Sequence, residues 1–306
     1  MMEYRVRNKI SAEELEEKKG KVLTDDDYNI LLTRPCKLRK PDGKMLAVYL
    51  PKVIPQDVNE TSYEILHGFK GAATDNRGLA SGSPRYATGG GAVRTRTKHV
   101  ASAIIGSFDP QGGGKNFCRL TAWTGKETEK FENLYPLFQT IAEKFQEYVP
   151  DRFAKQMDFV NNTHPDWIIP KTPFTTITIN NTYPTGVHTD KGDLDEGFST
   201  LACLRRGEFT GGRLIFPEYR VGVDMQDGDI VLMDAHEWHG NTFITCACGE
   251  HPNDGWREVG PCRKCGAERV SVVCYYRTKM GQCEAKDEED RKRILYAEKR
   301  SIRVGA

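Results

Sequence analysis

Two short motifs carry residues whose types and spacing suit a redox metal. The run Gly-Val-His-Thr-Asp at 186–190 separates His188 from Asp190 by one residue, and Trp-His-Gly-Asn at 238–241 supplies a second histidine, His239. Two imidazoles and one carboxylate on Fe(II) leave coordination positions open for oxygen and a co-substrate. The pattern therefore predicts a non-haem iron site at His188, Asp190 and His239.

The third iron ligand is a choice between His236 and His239. Because residues i and i+2 of a strand point to the same face, His188 and Asp190 would lie side by side. The third ligand must then come from a different strand, which explains its distance in sequence. His239 is favoured because the strand-like pattern resumes directly after it, at 241–245. His236 is then expected beside the ligands or on the substrate side.

Arg269 and Ser271 form an Arg-x-Ser pair on one face of the last strand-like run. When 2-oxoglutarate chelates iron through its keto acid end, its far carboxylate needs a buried cation and a hydroxyl. Arginine suits this role because its guanidinium offers two parallel donors. We expect Arg269 and Ser271 to bind the co-substrate, with Arg277 as the alternative if the strand register differs.

Four cysteines form a second metal motif. Cys246 and Cys248 make C-x-C, Cys262 and Cys265 make C-x-x-C, and each pair is followed by glycine. Two such pairs are typical of a structural zinc site with four thiolate ligands. We expect zinc to staple the insert 245–268, which is too short to build a core of its own.

Composition limits the class of protein. The chain has 306 residues, of which 44 are basic and 43 acidic, so net charge indicates no particular partner. The N-terminus lacks the apolar core of a signal peptide, and no apolar run is long enough to span a bilayer. Nine cysteines without a secretion signal favour reduced thiols or metal ligands over disulfides. We expect a soluble, intracellular protein (cytoplasmic, or nuclear in a eukaryote) that is neither secreted nor membrane-bound.

The periodicity of apolar residues predicts a mainly β chain. Ser11 and Glu14 indicate a capping box for a short helix, and helical spacing predicts a longer helix over 131–148. Residues 24–70 give no clear prediction, and the charged tail 284–303 predicts a solvated helix. Short strand-like runs separated by turn signals stand at 175–180, 186–190, 213–216, 220–225, 229–234, 241–245 and 269–276. Many short strands of this kind favour a sandwich or a barrel.

The segment 76–108 contains five basic residues and no acidic one. It is rich in glycine, serine and threonine, which is typical of a mobile loop or pair of loops. Unbalanced positive charge attracts phosphates and makes binding to nucleic acid depend on salt. Arg94, Arg96 and Lys98 are therefore candidate DNA contacts.

Together these residues resemble the TET/JBP family of Fe(II)/2-oxoglutarate dioxygenases, which oxidise the 5-methyl group of pyrimidines in nucleic acid. The resemblance covers about 103–277 and rests on FCRLTAWT (117–124), FTTITIN (174–180), GVHTDKGD (186–193), GEFTGGRLIFPEY (207–219), DGDIVLMDAHEWHGN (227–241) and RVSVVCYY (269–276). It implies a double-stranded β-helix core, jelly-roll or cupin-like, within a mainly β fold with flanking helices (α+β). The four-cysteine insert departs from the family pattern.

The resemblance also implies roles for residues near the iron motif. A methylated base buried in a duplex would have to flip out to reach the iron. Asn180 and Arg119 are expected to contact the base or the co-substrate. Asp193 is expected to face the co-substrate region, where a carboxylate in one branch of the family helps to accept ascorbate instead.

These expectations combine into one hypothesis. The chain is expected to hold a helical and basic-loop extension (1–100), a dioxygenase core (101–280) and a charged helix (281–306), and to act as a monomer. Using Fe(II), 2-oxoglutarate and O2, with structural Zn(II), it would hydroxylate 5-methylcytosine in DNA to 5-hydroxymethylcytosine. The alternatives are a thymine hydroxylase of the base-J type and a protein hydroxylase of the prolyl type.

Overall fold

The computed structural model describes residues 1–69, 102–110, 115–249 and 261–301, together with the backbone of 85–88, 92–95 and 302–304. The chain forms two compact units. The first contains residues 1–103, 178–191 and 200–273, and the second contains 104–177, 192–199 and 274–306. The domain division expected at residues 100 and 280 stays a prediction.

Seven α-helices lie in the described parts of the chain. They are α1 (Ala12–Lys18), α2 (Gln56–Leu66), α3 (Ala122–Lys126), α4 (Thr128–Glu132), α5 (Tyr135–Tyr148), α6 (Pro150–Asn161) and α7 (Lys286–Val304). The predicted capping box is confirmed, because Ser11 caps α1 and Glu14 bonds back to the Ser11 N–H. The helix predicted over 131–148 is divided between α4 and α5. None of the helices described here is both long and apolar enough to cross a bilayer.

The strands are short, as the apolar pattern predicts. They are β1 (Met2–Arg5), β2 (Ile30–Leu32), β3 (Cys36–Arg39), β4 (Met45–Leu50), β5 (Arg85–Thr88), β6 (Ala92–Thr95), β7 (Ser102–Phe108), β8 (Arg119–Leu120), β9 (Thr176–Asn181), β10 (Ser199–Arg206), β11 (Phe209–Gly211), β12 (Leu214–Phe216), β13 (Val221–Val223), β14 (Asp229–Met233), β15 (Gly240–Asn241), β16 (Ile244–Cys246) and β17 (Glu268–Tyr275).

The core of the first unit lies between two sheets. Seven neighbouring strands of a nine-stranded sheet have the order β1-β3-β4-β14-β10-β17-β9, and a four-stranded sheet has the order β15-β12-β13-β2. One buried cluster contains Leu38, Cys203 and Val231 from the larger sheet and Phe216 and Val223 from the smaller one. Two sheets that share an apolar interior are consistent with a double-stranded β-helix.

Helices dominate the second unit. The buried aromatic rings of Phe138 and Phe145 on α5 pack against neighbours on α4 and α6, respectively. A separate cluster includes Trp167, Tyr276 and the disulfide-bonded pair Cys118–Cys283. The expectation that the cysteines are all reduced or metal-bound is therefore wrong for Cys118 and Cys283, which the fold brings together from positions 165 residues apart.

One predicted strand is absent, and one segment without a prediction is structured. Residues 186–190 are not a regular strand, because only Val187 and His188 make isolated bridges there. Residues 24–69, which gave no clear prediction, hold β2, β3, β4 and α2. The larger sheet thus extends beyond the predicted core into the N-terminal part of the chain.

Candidate iron and co-substrate site

Backbone pairing brings the two iron motifs together. The His188 N–H donates to the His239 carbonyl at 2.9 Å, and the His239 N–H donates to the His188 carbonyl at 3.0 Å. The Asp190 N–H donates to the carbonyl of Ala235 at 2.9 Å. This antiparallel bridge fixes all three side chains on paired backbone, although the 186–190 segment is not a strand.

Backbone carbonyl groups orient both imidazole rings through their Nδ1 atoms. His188 Nδ1 lies 2.7 Å from the Gly186 carbonyl, and His239 Nδ1 lies 2.9 Å from the Glu237 carbonyl. A carbonyl acceptor at Nδ1 favours the tautomer with its lone pair on Nε2. The Nε2 atoms of His188 and His239 lie 3.4 and 3.8 Å from the Asp190 carboxylate. One potential ligand atom from each residue therefore lies within 4.8 Å of the other two.

The donor set fits Fe(II). Two neutral imidazoles and one carboxylate on one side of a metal are the non-haem iron arrangement with open positions. Burial, with His188 adding to the effect, lowers the pKa of His239 to about 4, which keeps this ring neutral near pH 7. Asp190, at 28% side-chain exposure, is the most accessible of the three side chains, so solvent reaches the cluster on the side of this carboxylate.

His236 lies outside this cluster. It sits in a turn, where its Nδ1 lies 3.3 Å from an Asp234 oxygen. Among the described residues, the potential metal cluster includes His239 and not His236. The geometry therefore favours His239 as the third ligand.

Sequence reasoning missed the segment that holds both ligand motifs in place. The residues 19–23, called here the N-terminal strap, run beside both of them. Gly20 N–H donates to the Val187 carbonyl at 2.8 Å, and Leu23 N–H donates to the Asn241 carbonyl at 2.9 Å. Leu23 is buried in one cluster with Val187. The strap acts through backbone hydrogen bonds to residues that are far away in sequence. These bonds do not depend on the strap's residue types, so no local sequence signal could have identified it.

A largely buried lysine, Lys40, also supports the loop before His239. Lys40 Nζ lies 3.0 Å from Asp234 and 2.8 Å from Glu237, and its side chain is 12% exposed. Glu237 accepts a further hydrogen bond from the Tyr219 hydroxyl at 2.7 Å. Because the Glu237 carbonyl orients the His239 ring, this network acts on an iron-ligand candidate through its backbone.

Arg269 is built into the protein interior. It is 2% exposed, and its Nη1 donates to the Ser271 hydroxyl. Gly212 has a φ of +67°, and a β-carbon there would lie 3.0 Å from Arg269 Cδ, so glycine gives this side chain room that a larger residue would reduce. Arg269 Nη2 is buried and has no hydrogen-bond partner among the described residues. A buried guanidinium with a spare donor beside a hydroxyl fits the far carboxylate of 2-oxoglutarate.

Arg277, the alternative anchor, is engaged elsewhere. Its Nε donates to Asp109 at 2.8 Å, and its guanidinium lies 4.6 Å from the Phe108 ring centre. The ion pair already supplies Arg277 with a carboxylate. The geometry therefore favours Arg269 for the co-substrate.

The comparison with protein families agrees with this chemistry. A family model, Tet_JBP, described as the oxygenase domain of the 2OGFeDO superfamily, matches residues 104–278. The chain belongs to the Tet_JBP family. His188, Asp190, His239 and Arg269 all lie inside the matched region, whereas the N-terminal strap lies outside it.

Curated relatives agree with membership in the Tet_JBP family. The chain is 32% identical over 234 residues to a protein named thymine dioxygenase JBP1 from Leishmania braziliensis, covering 69% of this chain and 26% of that one. It is 31% identical over 254 residues to the protein of that name from Crithidia fasciculata, covering 80% of this chain and 26% of that one. The chain thus spans about a quarter of the length of these relatives.

A solved structure shares the fold. NgTET1 in complex with 5mC DNA superposes with a TM-score of 0.57 at 13% identity, covering 93% of this chain and 100% of that one. At this identity the likeness concerns the fold alone.

The remaining predicted site residues of this Tet_JBP chain have varied surroundings. Asn180 is 8% exposed and accepts a hydrogen bond from the Ser102 hydroxyl at 2.6 Å. Arg119 lies over the Phe108 ring at 4.7 Å, and burial lowers the pKa of its guanidinium. Asp193 accepts a hydrogen bond from the Ser199 hydroxyl at 2.5 Å.

The basic segment lies largely outside the described residues. Arg94 belongs to β6, which pairs with β5, but only its backbone is described. Arg96 and Lys98 fall outside the described residues. Their expected contacts with DNA stay predictions.

The four insert cysteines come together as their spacing predicts. Cys246 Sγ lies 3.0 Å from Cys248 Sγ and 3.4 Å from Cys262 Sγ, and Cys265 completes the group. Burial raises the pKa of Cys262, but backbone N–H groups, first that of Cys265, outweigh it and lower the value to about 7. These sulfurs form a second group that could hold a metal ion.

Proposed function

We propose that this chain is an Fe(II)- and 2-oxoglutarate-dependent dioxygenase that hydroxylates the 5-methyl group of a pyrimidine base in DNA. One observation carries the proposal: His188, Asp190 and His239 meet in one cluster within a Tet_JBP chain. The buried Arg269, with its spare donor, supports the choice of a dicarboxylate co-substrate.

Each residue has a defined part in the proposed reaction. His188, Asp190 and His239 would hold Fe(II), which with O2 and 2-oxoglutarate supplies the oxidising power to hydroxylate a methyl group. Arg269 and Ser271 would bind the far carboxylate of 2-oxoglutarate and so fix its orientation. The Gly186 and Glu237 carbonyls keep both imidazoles in the tautomer that a metal requires.

Thymine is the first candidate base, and 5-methylcytosine is the second. The relatives at 31–32% identity are named thymine dioxygenases, whereas the 5mC complex is of a protein only 13% identical. This reverses the order that we expected from sequence. The two bases differ at C4, which carries a carbonyl in thymine and an amino group in 5-methylcytosine.

A base in duplex DNA can reach an enclosed iron site only if it flips out of the stack. The acid-free segment 76–108 supplies positive charge that would bind the DNA backbone. A protein hydroxylase, the remaining alternative, would not need this positive charge to bind its substrate. Affinity for duplex DNA that falls steeply with salt would favour the DNA substrate.

We also propose that Cys246, Cys248, Cys262 and Cys265 hold a structural Zn(II). Thiolates are the preferred ligands of zinc in closed tetrahedral sites. Four sulfurs at about 2.3 Å from one ion lie about 3.8 Å apart. The observed distances of 3.0, 3.4 and 3.6 Å between three of them are close to this arrangement.

A nucleoside assay tests the proposed activity. The chain would be incubated with Fe(II), 2-oxoglutarate and one of two duplex DNAs. The first contains thymine as its only 5-methylpyrimidine, and the second also contains 5-methylcytosine. The DNA would then be digested and its nucleosides measured by mass spectrometry. We expect 5-hydroxymethyluracil, or 5-hydroxymethylcytosine if the second candidate is correct, and neither product with His188→Ala. Conversion of 2-oxoglutarate to succinate without an oxidised nucleoside from either DNA would overturn the DNA substrate.

A further inference from the structure

We propose that the four-cysteine zinc site positions Arg269, so that zinc controls the affinity for 2-oxoglutarate without touching the iron ligands. This inference rests on the proposed function, because it assigns Arg269 to the co-substrate. It adds a role for the insert that the iron site alone does not explain.

The four sulfurs join the ends of two strands. Cys246 is the last residue of β16, and Cys262 and Cys265 precede β17, which begins at Glu268. A metal bound to all four sulfurs would therefore tie the end of β16 to the start of β17. Arg269 is the second residue of β17, so it lies next to this tie.

Each cysteine pair is shaped to hold a metal. The Gly249 N–H donates to the Cys246 carbonyl at 3.0 Å, and the Gly266 N–H donates to the Cys262 carbonyl at 2.8 Å. Both glycines have positive φ, of 81° and 69°. Glycine adopts this backbone conformation without steric cost, so it suits turns as tight as these. Two such turns present the sulfurs of each pair to one point.

The apolar contacts around the sulfurs are few. Besides the cysteines, the buried cluster contains only Phe209, Ile244 and Ala267 among the described residues. A cluster of this size contributes little stability, so small insert folds usually depend on their metal. Loss of zinc should therefore loosen the ends of β16 and β17.

Packing around Gly212 couples the position of β16 to that of Arg269. A β-carbon on Gly212 would lie 3.1 Å from Ile244 Cγ1 and 3.0 Å from Arg269 Cδ, so both side chains pack against the same glycine. Ile244 stands two residues before Cys246 on β16. If β16 shifts, Arg269 loses the packing that aligns its guanidinium.

Hydrogen bonds to Glu268 should limit the effect of zinc loss on β17. Glu268 is fully buried and accepts hydrogen bonds from the Tyr63 hydroxyl at 2.6 Å, from the Gly68 N–H at 2.8 Å and from the Asn181 side chain. These contacts keep β17 in the sheet when zinc is absent. We therefore expect weaker co-substrate binding rather than unfolding.

The iron ligands have separate supports. His188 and His239 are paired with each other by backbone hydrogen bonds, and the strap holds Val187 and Asn241. None of these contacts includes a cysteine. Iron binding should therefore survive the loss of zinc.

The test compares Cys265→Ser with Arg263→Ala in the full chain. Cys265 is exposed, so its replacement removes a ligand without opening a core cavity, and Arg263 is an exposed residue of the same turn. Zinc and iron contents would be measured by elemental mass spectrometry. The dissociation constant of 2-oxoglutarate would be measured by calorimetry with Mn(II) in place of Fe(II).

We expect one zinc per chain in the wild type and in Arg263→Ala, and a loss of zinc in Cys265→Ser. The dissociation constant of 2-oxoglutarate should rise about tenfold or more in Cys265→Ser, while its iron content stays unchanged. A second variant, Ile244→Ala, keeps all four thiolates and should retain zinc while it also weakens 2-oxoglutarate binding.

The contrary results separate the zinc site, the coupling and the proposed function. A wild type without zinc overturns the zinc site, and zinc loss with unchanged 2-oxoglutarate affinity overturns the coupling. A zinc-loaded wild type that does not bind 2-oxoglutarate would instead contradict the proposed function. If Cys265→Ser does not fold, unchanged affinity in Ile244→Ala overturns the coupling on its own.

Discussion

The backbone oxygen of Gly20 lies 2.5 Å from the point where a β-carbon on Gly186 would stand. This close approach exists because the strap pairs with the chain at Val187, next to Gly186. The Gly186 carbonyl in turn orients the ring of His188. A residue near the N-terminus therefore limits which side chain can stand two positions before an iron-ligand candidate.

Gly186→Ala should weaken iron binding. The added methyl group must displace the strap or the 186–190 segment, and overpacking of this kind costs about 1–3 kcal/mol. We expect a lower melting temperature and an iron affinity reduced roughly tenfold, measured by thermal unfolding and Fe(II) titration without oxygen.

Gly125→Ala is the matched control, because a β-carbon there meets nothing within 4 Å. Gly125 lies within α3, where alanine is a better helix former than glycine, so this variant should keep the wild-type iron affinity and should not lower the melting temperature. Wild-type iron affinity in Gly186→Ala would contradict the role given to the strap.

The iron motif could be predicted from sequence because its chemistry depends on residue types. His188, Asp190 and His239 carry a metal pattern that no common structural role requires together. Their support could not be predicted, since the strap has no motif and acts through backbone pairs. The strand expected at 186–190 was wrong because alternation in a five-residue run does not distinguish a strand from an irregular bridge.

The missed strand β10 and the missed disulfide have separate causes. β10 was missed although it is a central strand, because a strand buried on both faces shows no alternation of polar and apolar residues. The Cys118–Cys283 disulfide could not be predicted, because composition argued for reduced thiols and the partners are far apart in sequence. The four insert cysteines could be predicted because their spacing is local.

His239→Ala and His236→Ala should separate the two candidates for the third ligand. His239 Nε2 faces Asp190, whereas His236 sits in a turn beside Asp234. We expect His239→Ala to lose most bound iron and all turnover, and His236→Ala to keep its iron content. Elemental analysis of both purified variants checks this, and iron loss confined to His236→Ala would reverse the assignment.

Arg269→Lys should raise the Michaelis constant for 2-oxoglutarate. Lysine keeps the charge but lacks the fork that would bond the Ser271 hydroxyl and a carboxylate at once. A hydrogen bond to a charged group contributes about 1.5–3 kcal/mol, which corresponds to roughly 10- to 150-fold in affinity.

Arg277→Lys is the comparison, because Arg277 is paired with Asp109. Steady-state kinetics with varied 2-oxoglutarate should show its Michaelis constant for the co-substrate unchanged. A larger increase for Arg277→Lys than for Arg269→Lys would identify Arg277 as the anchor instead.

The double variant Cys118→Ala/Cys283→Ala should lower stability. Removing a disulfide usually costs about 2–5 kcal/mol, chiefly because the unfolded chain gains freedom. The buried Glu289 carboxylate accepts the Cys118 N–H at 2.6 Å, and this contact does not need the disulfide. We therefore expect a folded variant with a lower melting temperature.

Two measurements check the disulfide itself. Reductant should lower the melting temperature of the wild type and leave that of the variant unchanged. Alkylation of the unfolded, unreduced wild type should modify seven cysteines. Modification of all nine would show that Cys118 and Cys283 are thiols.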